Sequence, residues 1–226
     1  MEHQEKSACG VGFLASRRGL AHRAHLEQAL QALSCVEHRG ACGADRLSSD
    51  GAGIMTDIPF ELFGYEKGSV AIGTLFIPLD AEGQRLALKI LADTLSFFGL
   101  HIEAYRDVPI NPGVLGSEAR KSMPAIKHVI IRRPAHCRTD DSFNKLLYTA
   151  KQATRLRVSD RGLKEFFFAS LSTNTIVYKA LTPADRLSDF YLDLQDVRYK
   201  TRFAMFHRRF STNTRTAWDK AQPVSY

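Results

Sequence analysis

The sequence predicts an α+β domain built from stacked layers. Strand-like and helix-like stretches come in clusters, not in the strict alternation that produces a doubly wound parallel sheet. No internal repeat, linker or low-complexity stretch divides the 226 residues, so one domain with a proper core is expected. Hydrophobic residues make up 44% and charged residues 24%, the balance of an ordinary soluble globular protein.

Cys9 to Ala15 reads as a strand, with Val11, Phe13 and Ala15 alternating against smaller partners. The stretch "HRAHLEQALQALSCVEHRG" reads as a helix whose stripe is Leu26, Ala29, Leu30, Leu33 and Val36, with Gly40 as its stop. After the polar loop "ACGADRLSSDG" come strands at Gly53 to Ile58 and Val70 to Ile77. Asp80 caps a second helix running to about Phe98, with Leu86, Ile90, Leu91, Leu95 and Phe98 as its buried face and Gly99 at its end. Strands follow at Ile102 to Val108 and Val129 to Arg132, separated by the turn-rich "INPGVLGSEARKSMP". A third helix spans Ser142 to about Val158. "EFFFASLSTNTIVYKAL" has the look of a hairpin turning at Ser172 to Asn174. A short helix at Pro183 to Phe190 precedes a last strand, Arg202 to Phe210.

Composition narrows the class. A net charge of +7 invites a nucleic-acid partner, but the basic residues are scattered and the clusters are only pairs: Arg17-Arg18, Arg132-Arg133 and Arg208-Arg209. A solvated basic surface is expected, with no nucleic-acid binding. No apolar run approaches the roughly 18 residues of a membrane span, and "MEHQEKSACG" lacks the apolar core of a secretion signal. Cys9, Cys35, Cys42 and Cys137 have no disulfide-framework spacing, which favours a reducing, cytoplasmic setting.

Four stretches carry candidate chemistry. His22, His25, Cys35, His38 and Cys42 have zinc-ligand chemistry. On one helix, however, His22 and Cys35 would stand roughly 20 Å apart, too far to share an ion. "DGAGI", at Asp50 to Ile54, lacks the third glycine and the lysine of a phosphate loop, so a tight turn feeding a strand is expected. "HRRFSTNTR" sets guanidinium groups beside hydroxyls at a strand end, a pattern that can clamp a carboxylate. Cys9 is either a small core residue opening a strand or, with Met1 to Ala8 removed, a nucleophile carrying its own α-amine.

Five stretches, "CGVGFLA", "HRGACGAD" with "DGAGI", "YRDVPINPGVLGSEAR", "TIVYKALTPADRLSDFYLDLQD" and "RRFSTNT", occur in order over nearly the whole chain. Together they resemble the N-terminal glutaminase domain of the glutamate synthase large subunit, one of the class-II, N-terminal-nucleophile glutamine amidotransferases. The resemblance implies a four-layer αββα sandwich, here incomplete at its C-terminus. It implies a propeptide at residues 1–8 and an amidotransferase domain at 9–226. Cys9 is then the nucleophile that hydrolyses L-glutamine to glutamate and ammonia through a thioester. Arg39 lines the site, Arg209 pairs with the substrate α-carboxylate, and Thr212 helps hold it. Gly10 and Gly12 let the backbone approach the amide. No cofactor is expected on these residues. FMN and an iron-sulfur cluster belong to the downstream synthase domain, whose electrons come from a reductase subunit or ferredoxin.

The chain departs from the family pattern in three places. It stops at Tyr226, before the His-Asn-Gly-Glu motif that supplies the oxyanion hole. Losing one such donor costs roughly 10²–10³ in rate, so these residues alone are expected to be nearly inactive. The alternative is therefore a truncated, non-catalytic homologue that keeps the fold. Ser49 stands where a glycine usually precedes "DGAGI", and Arg215-Thr216 stand where an aromatic and a proline usually follow "STNT".

Overall fold

The structure, a computed structural model, describes residues 10–36, 49–208 and 217–223. Among them the strands form two four-stranded antiparallel sheets with helices packed on them, the α+β class expected. The first sheet has the order β1 (Gly10–Ala15), β8 (Phe203–Arg208), β2 (Ala52–Asp57), β7 (Thr175–Ala180). The second has the order β4 (His101–Asp107), β5 (Ala125–Arg132), β3 (Val70–Ile77), β6 (Phe167–Ser172).

A single turn, α2 (Phe60–Phe63), precedes β3, and the longer helices have identifiable local causes. In α1 (Arg23–Cys35), Leu26, Ala29 and Leu33 recur at helical spacing and are fully buried, packing the helix on β8 and β1. In α3 (Ala81–Phe97), the Asp80 carboxylate accepts from the Gly83 N–H at 2.7 Å, and Gly99 takes the left-handed conformation just past the end. A capping box starts α5 (Asp140–Asp160): the Thr139 hydroxyl accepts from the Ser142 N–H, and the Ser142 hydroxyl accepts from the Thr139 N–H.

β3 is the central fact of the core. Its eight residues, VAIGTLFI, are all buried, as a continuous apolar run requires of a strand covered on both faces. One side, with Ala71, Leu75 and Ile77, packs with Leu91 and Leu95 of α3 and with Phe143 and Leu147 of α5. The other side, with Val70, Ile72 and Phe76, shares a core with Ile54, Tyr178 and Phe206 of the first sheet and with α1. Among the described residues no helix is long and apolar enough to cross a membrane.

Some expectations need correction. Phe167–Ser172 and Thr175–Ala180 do not pair as a hairpin. β6 pairs with β3 and β7 with β2, so the turn between them carries the chain from one sheet to the other. β5 begins four residues before Val129, because Lys127 and His128 interrupt its apolar pattern while keeping ladder positions opposite Asp107 and Arg106. The buried face of α3 centres on Ala87, Leu91, Thr94 and Leu95, leaving Leu86 and Ile90 at its margin. The turn-rich excursion is ordered, with a 3-10 turn at Pro112–Val114 and a short helix α4 (Ser117–Lys121).

Candidate active site

Antiparallel pairing puts the start of β1, the end of β8, the start of β2 and the end of β7 at one end of the first sheet. There Gly10 pairs with Arg208, Arg208 with Ala52, and Ala52 with Ala180. Arg208 is completely buried in this row. Its Nη1 donates to the Ser49 hydroxyl at 2.6 Å and to the Gly51 carbonyl at 3.0 Å. The Ser49 hydroxyl also accepts from the Gly51 N–H at 3.2 Å. A guanidinium is expensive to bury without acceptors, and the Ser49–Gly51 turn supplies two.

The glycines here serve packing. Gly51 has φ +107°, open to glycine and strained for other residues, and a Cβ there would sit 3.1 Å from the Ala180 carbonyl. At Gly53 a Cβ would run into the carbonyl oxygen of Gln222 and lie 2.8 Å from both the Lys179 Cβ and the Pro223 Cδ. Gly12 is opposite Phe206, whose ring would be 2.5 Å from a Cβ at residue 12. Its missing side chain therefore makes room for Phe206, a packing use distinct from the expected approach to an amide.

Residues 217–223 cross this end of the sheet. Trp218 is buried, with its ring perpendicular to Phe76 at 5.9 Å and its Nε1 donating to the Ala119 carbonyl. Next to it, the Lys179 Nζ donates to the Asp219 carbonyl at 2.8 Å and lies 4.4 Å from the Phe167 ring centroid. Burial pushes the Lys179 amine down to about 7, with Lys151 acting in the same direction and Asp219 against it.

The site residues expected from the sequence, Cys9, Arg39, Arg209 and Thr212, lie outside the described residues, as do His38 and Cys42. The described residues that flank them in the chain do meet. Gly10, which follows Cys9, is the ladder partner of Arg208, which precedes Arg209, and Ser49 is bonded to that same arginine. Of the zinc-like group, the His25 Nδ1 lies 2.9 Å from the Thr201 carbonyl and Cys35 is exposed. Among the described residues no three His, Cys, Asp or Glu side chains come together to hold an ion.

A second polar cluster lies in the core shared by the sheets, and sequence reasoning gave it no role. Arg106 and Asp193 form a bidentate pair, the Tyr178 hydroxyl donates to Asp193 at 2.9 Å, and Arg106 also reaches the His128 Nδ1 at 3.1 Å. Burial pushes His128 down to about 3; Arg106 lowers it further and Asp193 opposes. Its signal in the sequence was the pair of motifs "RDVP" and "DLQD", which contribute Arg106 and Asp193.

Residues 9–226 match the family of class-II glutamine amidotransferases. The chain is 38% identical to ferredoxin-dependent glutamate synthase 2, chloroplastic, of Arabidopsis thaliana over 98% of its own length and 14% of that protein's. It is 37% identical to ferredoxin-dependent glutamate synthase 2 of Synechocystis sp., with 98% and 14% covered. It is 34% identical to the glutamate synthase [NADPH] large chain of Azospirillum brasilense, with 97% and 15% covered. The chain thus spans about a seventh of the length of these relatives.

Proposed function

Given that this chain belongs to the class-II glutamine amidotransferases, we propose that it hydrolyses the side-chain amide of L-glutamine, with Cys9 as the nucleophile. The main support is the pairing of Gly10 with Arg208 at one end of the first sheet, with Ser49 bonded to the same arginine. Gly10 follows the expected nucleophile in the sequence, and Arg208 precedes the expected carboxylate-binding Arg209.

In the proposed reaction residues 1–8 are first removed, which frees the α-amine of Cys9. An α-amine with an ordinary pKa of about 8 is partly unprotonated near neutral pH and can take the thiol proton. The sulfur attacks the amide carbon, the C–N bond breaks, and the nitrogen leaves as ammonia with the proton held by the amine. Water then attacks the glutamyl thioester, giving glutamate and restoring the thiol. Arg209 and Thr212 hold the substrate, with Arg39 lining the site; a guanidinium fork matches the two oxygens of an α-carboxylate.

In the whole protein, ammonia passes to a glutamate synthase domain that draws electrons from ferredoxin or a reductase subunit; the relatives' names carry the words ferredoxin-dependent and NADPH. FMN and the iron-sulfur cluster belong to that domain.

The test is labelling of the whole protein, oxyanion-hole motif included, with a diazoketone analogue of glutamine, followed by peptide mass spectrometry. The expected result is rapid modification of a Cys9 that begins the mature chain, suppressed by excess glutamine. Equal labelling of Cys9, Cys35, Cys42 and Cys137, with no protection by glutamine, would overturn the proposal.

A further inference from the structure

Lys179 occupies a strand position where a lysine ordinarily reaches for water, yet it is only 1% exposed. It is the direct ladder partner of Gly53 on β2. Its side chain turns inward under the 217–223 segment, donates to the Asp219 carbonyl at 2.8 Å, and lies over the Phe167 ring of β6 at 4.4 Å and the Phe76 ring of β3 at 6.0 Å. The charged groups acting on it are Asp219 in that segment and Lys151 on α5. Two other points hold the same segment: Trp218, packed on Phe76 and bonded to the Ala119 carbonyl, and Gln222-Pro223, seated where Gly53 leaves no room for a side chain.

We propose that Lys179 is a positioning residue for glutamine binding: by holding the Asp219 carbonyl it fixes the 217–223 segment across Gly53, at the end of the sheet where Gly10 pairs with Arg208. In its link to glutamine this rests on the glutaminase reading. Thr212 precedes Ala217 by only five positions, so holding the 217–223 segment in place limits the reach of the chain that carries Arg209 and Thr212. Displacing the segment weakens substrate binding and leaves the chemistry at the thiol intact. Of the three anchors, only Lys179 is a single polar bond made from the ladder partner of Gly53.

Two readouts test the proposal on Lys179→Met. Trp218 is the only tryptophan, so its emission reports on the segment whether or not glutamine is hydrolysed. The expected result is a red-shifted emission and greater quenching by acrylamide, with unchanged far-UV circular dichroism. In diazoketone labelling of Cys9, the half-saturating concentration should rise about tenfold, the scale of one lost charge-assisted hydrogen bond, while the saturated rate stays within about threefold. If Lys179→Met does not fold, Phe167→Leu is the substitute, with the same shifts at about threefold. Unchanged Trp218 emission and quenching would refute the anchor outright. Altered emission with unchanged half-saturation would refute its role in binding. If the wild-type chain is not labelled at Cys9, the glutaminase reading fails and the link to glutamine falls with it, while Trp218 still decides the anchor.

Discussion

Arg106 and Asp193, 87 residues apart in the chain, meet as a bidentate ion pair, with Nη1 2.8 Å from one carboxylate oxygen and Nη2 2.6 Å from the other. The two ends are unequally buried. The Arg106 side chain keeps 31% of its exposure and Asp193 only 2%. The pair joins the end of β4 to the 3-10 turn Leu192–Gln195, and the Tyr178 hydroxyl links it to β7.

That inequality gives the two single substitutions different effects. Arg106→Met leaves a buried carboxylate with Tyr178 as its remaining hydrogen-bond donor in the cluster, and should cost about 3–4 kcal/mol of stability. Asp193→Asn leaves a guanidinium that can turn toward water, and should cost about 1–2 kcal/mol. Urea denaturation of both variants checks the order. A larger loss for Asp193→Asn would mean that the guanidinium is the trapped partner.

His128 makes stability depend on acid. It is fully buried, and burial lowers its pKa from the ordinary 6.5 to about 3. A histidine held neutral in the fold but able to charge when unfolded stabilises fully above pH 6.5, and its contribution is lost as the pH falls from there toward 3. In His128→Phe, the midpoint of urea unfolding should fall less between pH 7 and pH 4.5 than in the wild type. The two profiles should converge in slope above pH 7. Parallel profiles down to pH 4.5 would show that another group carries the acid sensitivity.

Ser49 and Arg208 should be energetically coupled. The Ser49 hydroxyl accepts from the Arg208 Nη1 at 2.6 Å. Ser49→Gly should cost about 1–2 kcal/mol with Arg208 present and close to nothing in an Arg208→Met background. A double-mutant cycle by denaturation measures the difference. Additive losses would mean that the serine stabilises the Asp50–Gly51 turn by itself, through the Gly51 N–H.

Much of the fold could be read from local patterns, since periodicity and caps act over a few residues. The eight apolar residues of β3, the Asp80 cap and Gly99 stop of α3, and the Leu26, Ala29 and Leu33 stripe of α1 all fall where their spacing put them. Relationships between distant segments could not be read that way. Ser172 to Asn174 has turn chemistry, but whether the next strand folds back or crosses to another sheet depends on which edge is open, and β2 takes it. Lys179 in "TIVYKAL" looks like any outward-facing strand lysine until the 217–223 segment is laid over it. "RDVP" and "DLQD" lie in two of the stretches that carry the family resemblance, yet the salt bridge between them has no local signature. For the candidate site, the row through Gly10, Arg208 and Ala52 is made by strand pairing and has no local signature, while Cys9, Arg39, Arg209 and Thr212 lie outside the described residues.

Gly53 and Gly12 separate two kinds of crowding on the same sheet. At Gly12 the obstacle is the far end of the Phe206 ring, which must give by roughly 1 Å and can do so about its χ angles. At Gly53 the obstacles are the Gln222 carbonyl, the Pro223 ring and the Lys179 Cβ, none of which can move without moving backbone. Gly12→Ala should therefore cost about 1 kcal/mol, and Gly53→Ala about 2–3 kcal/mol. The second should also lift residues 221–223 from β2, so Trp218 should become more accessible to acrylamide in Gly53→Ala and stay protected in Gly12→Ala. Equal stability losses with Trp218 protected in both would mean that the 217–223 segment yields to a methyl group at residue 53, and that its seat on β2 is loose.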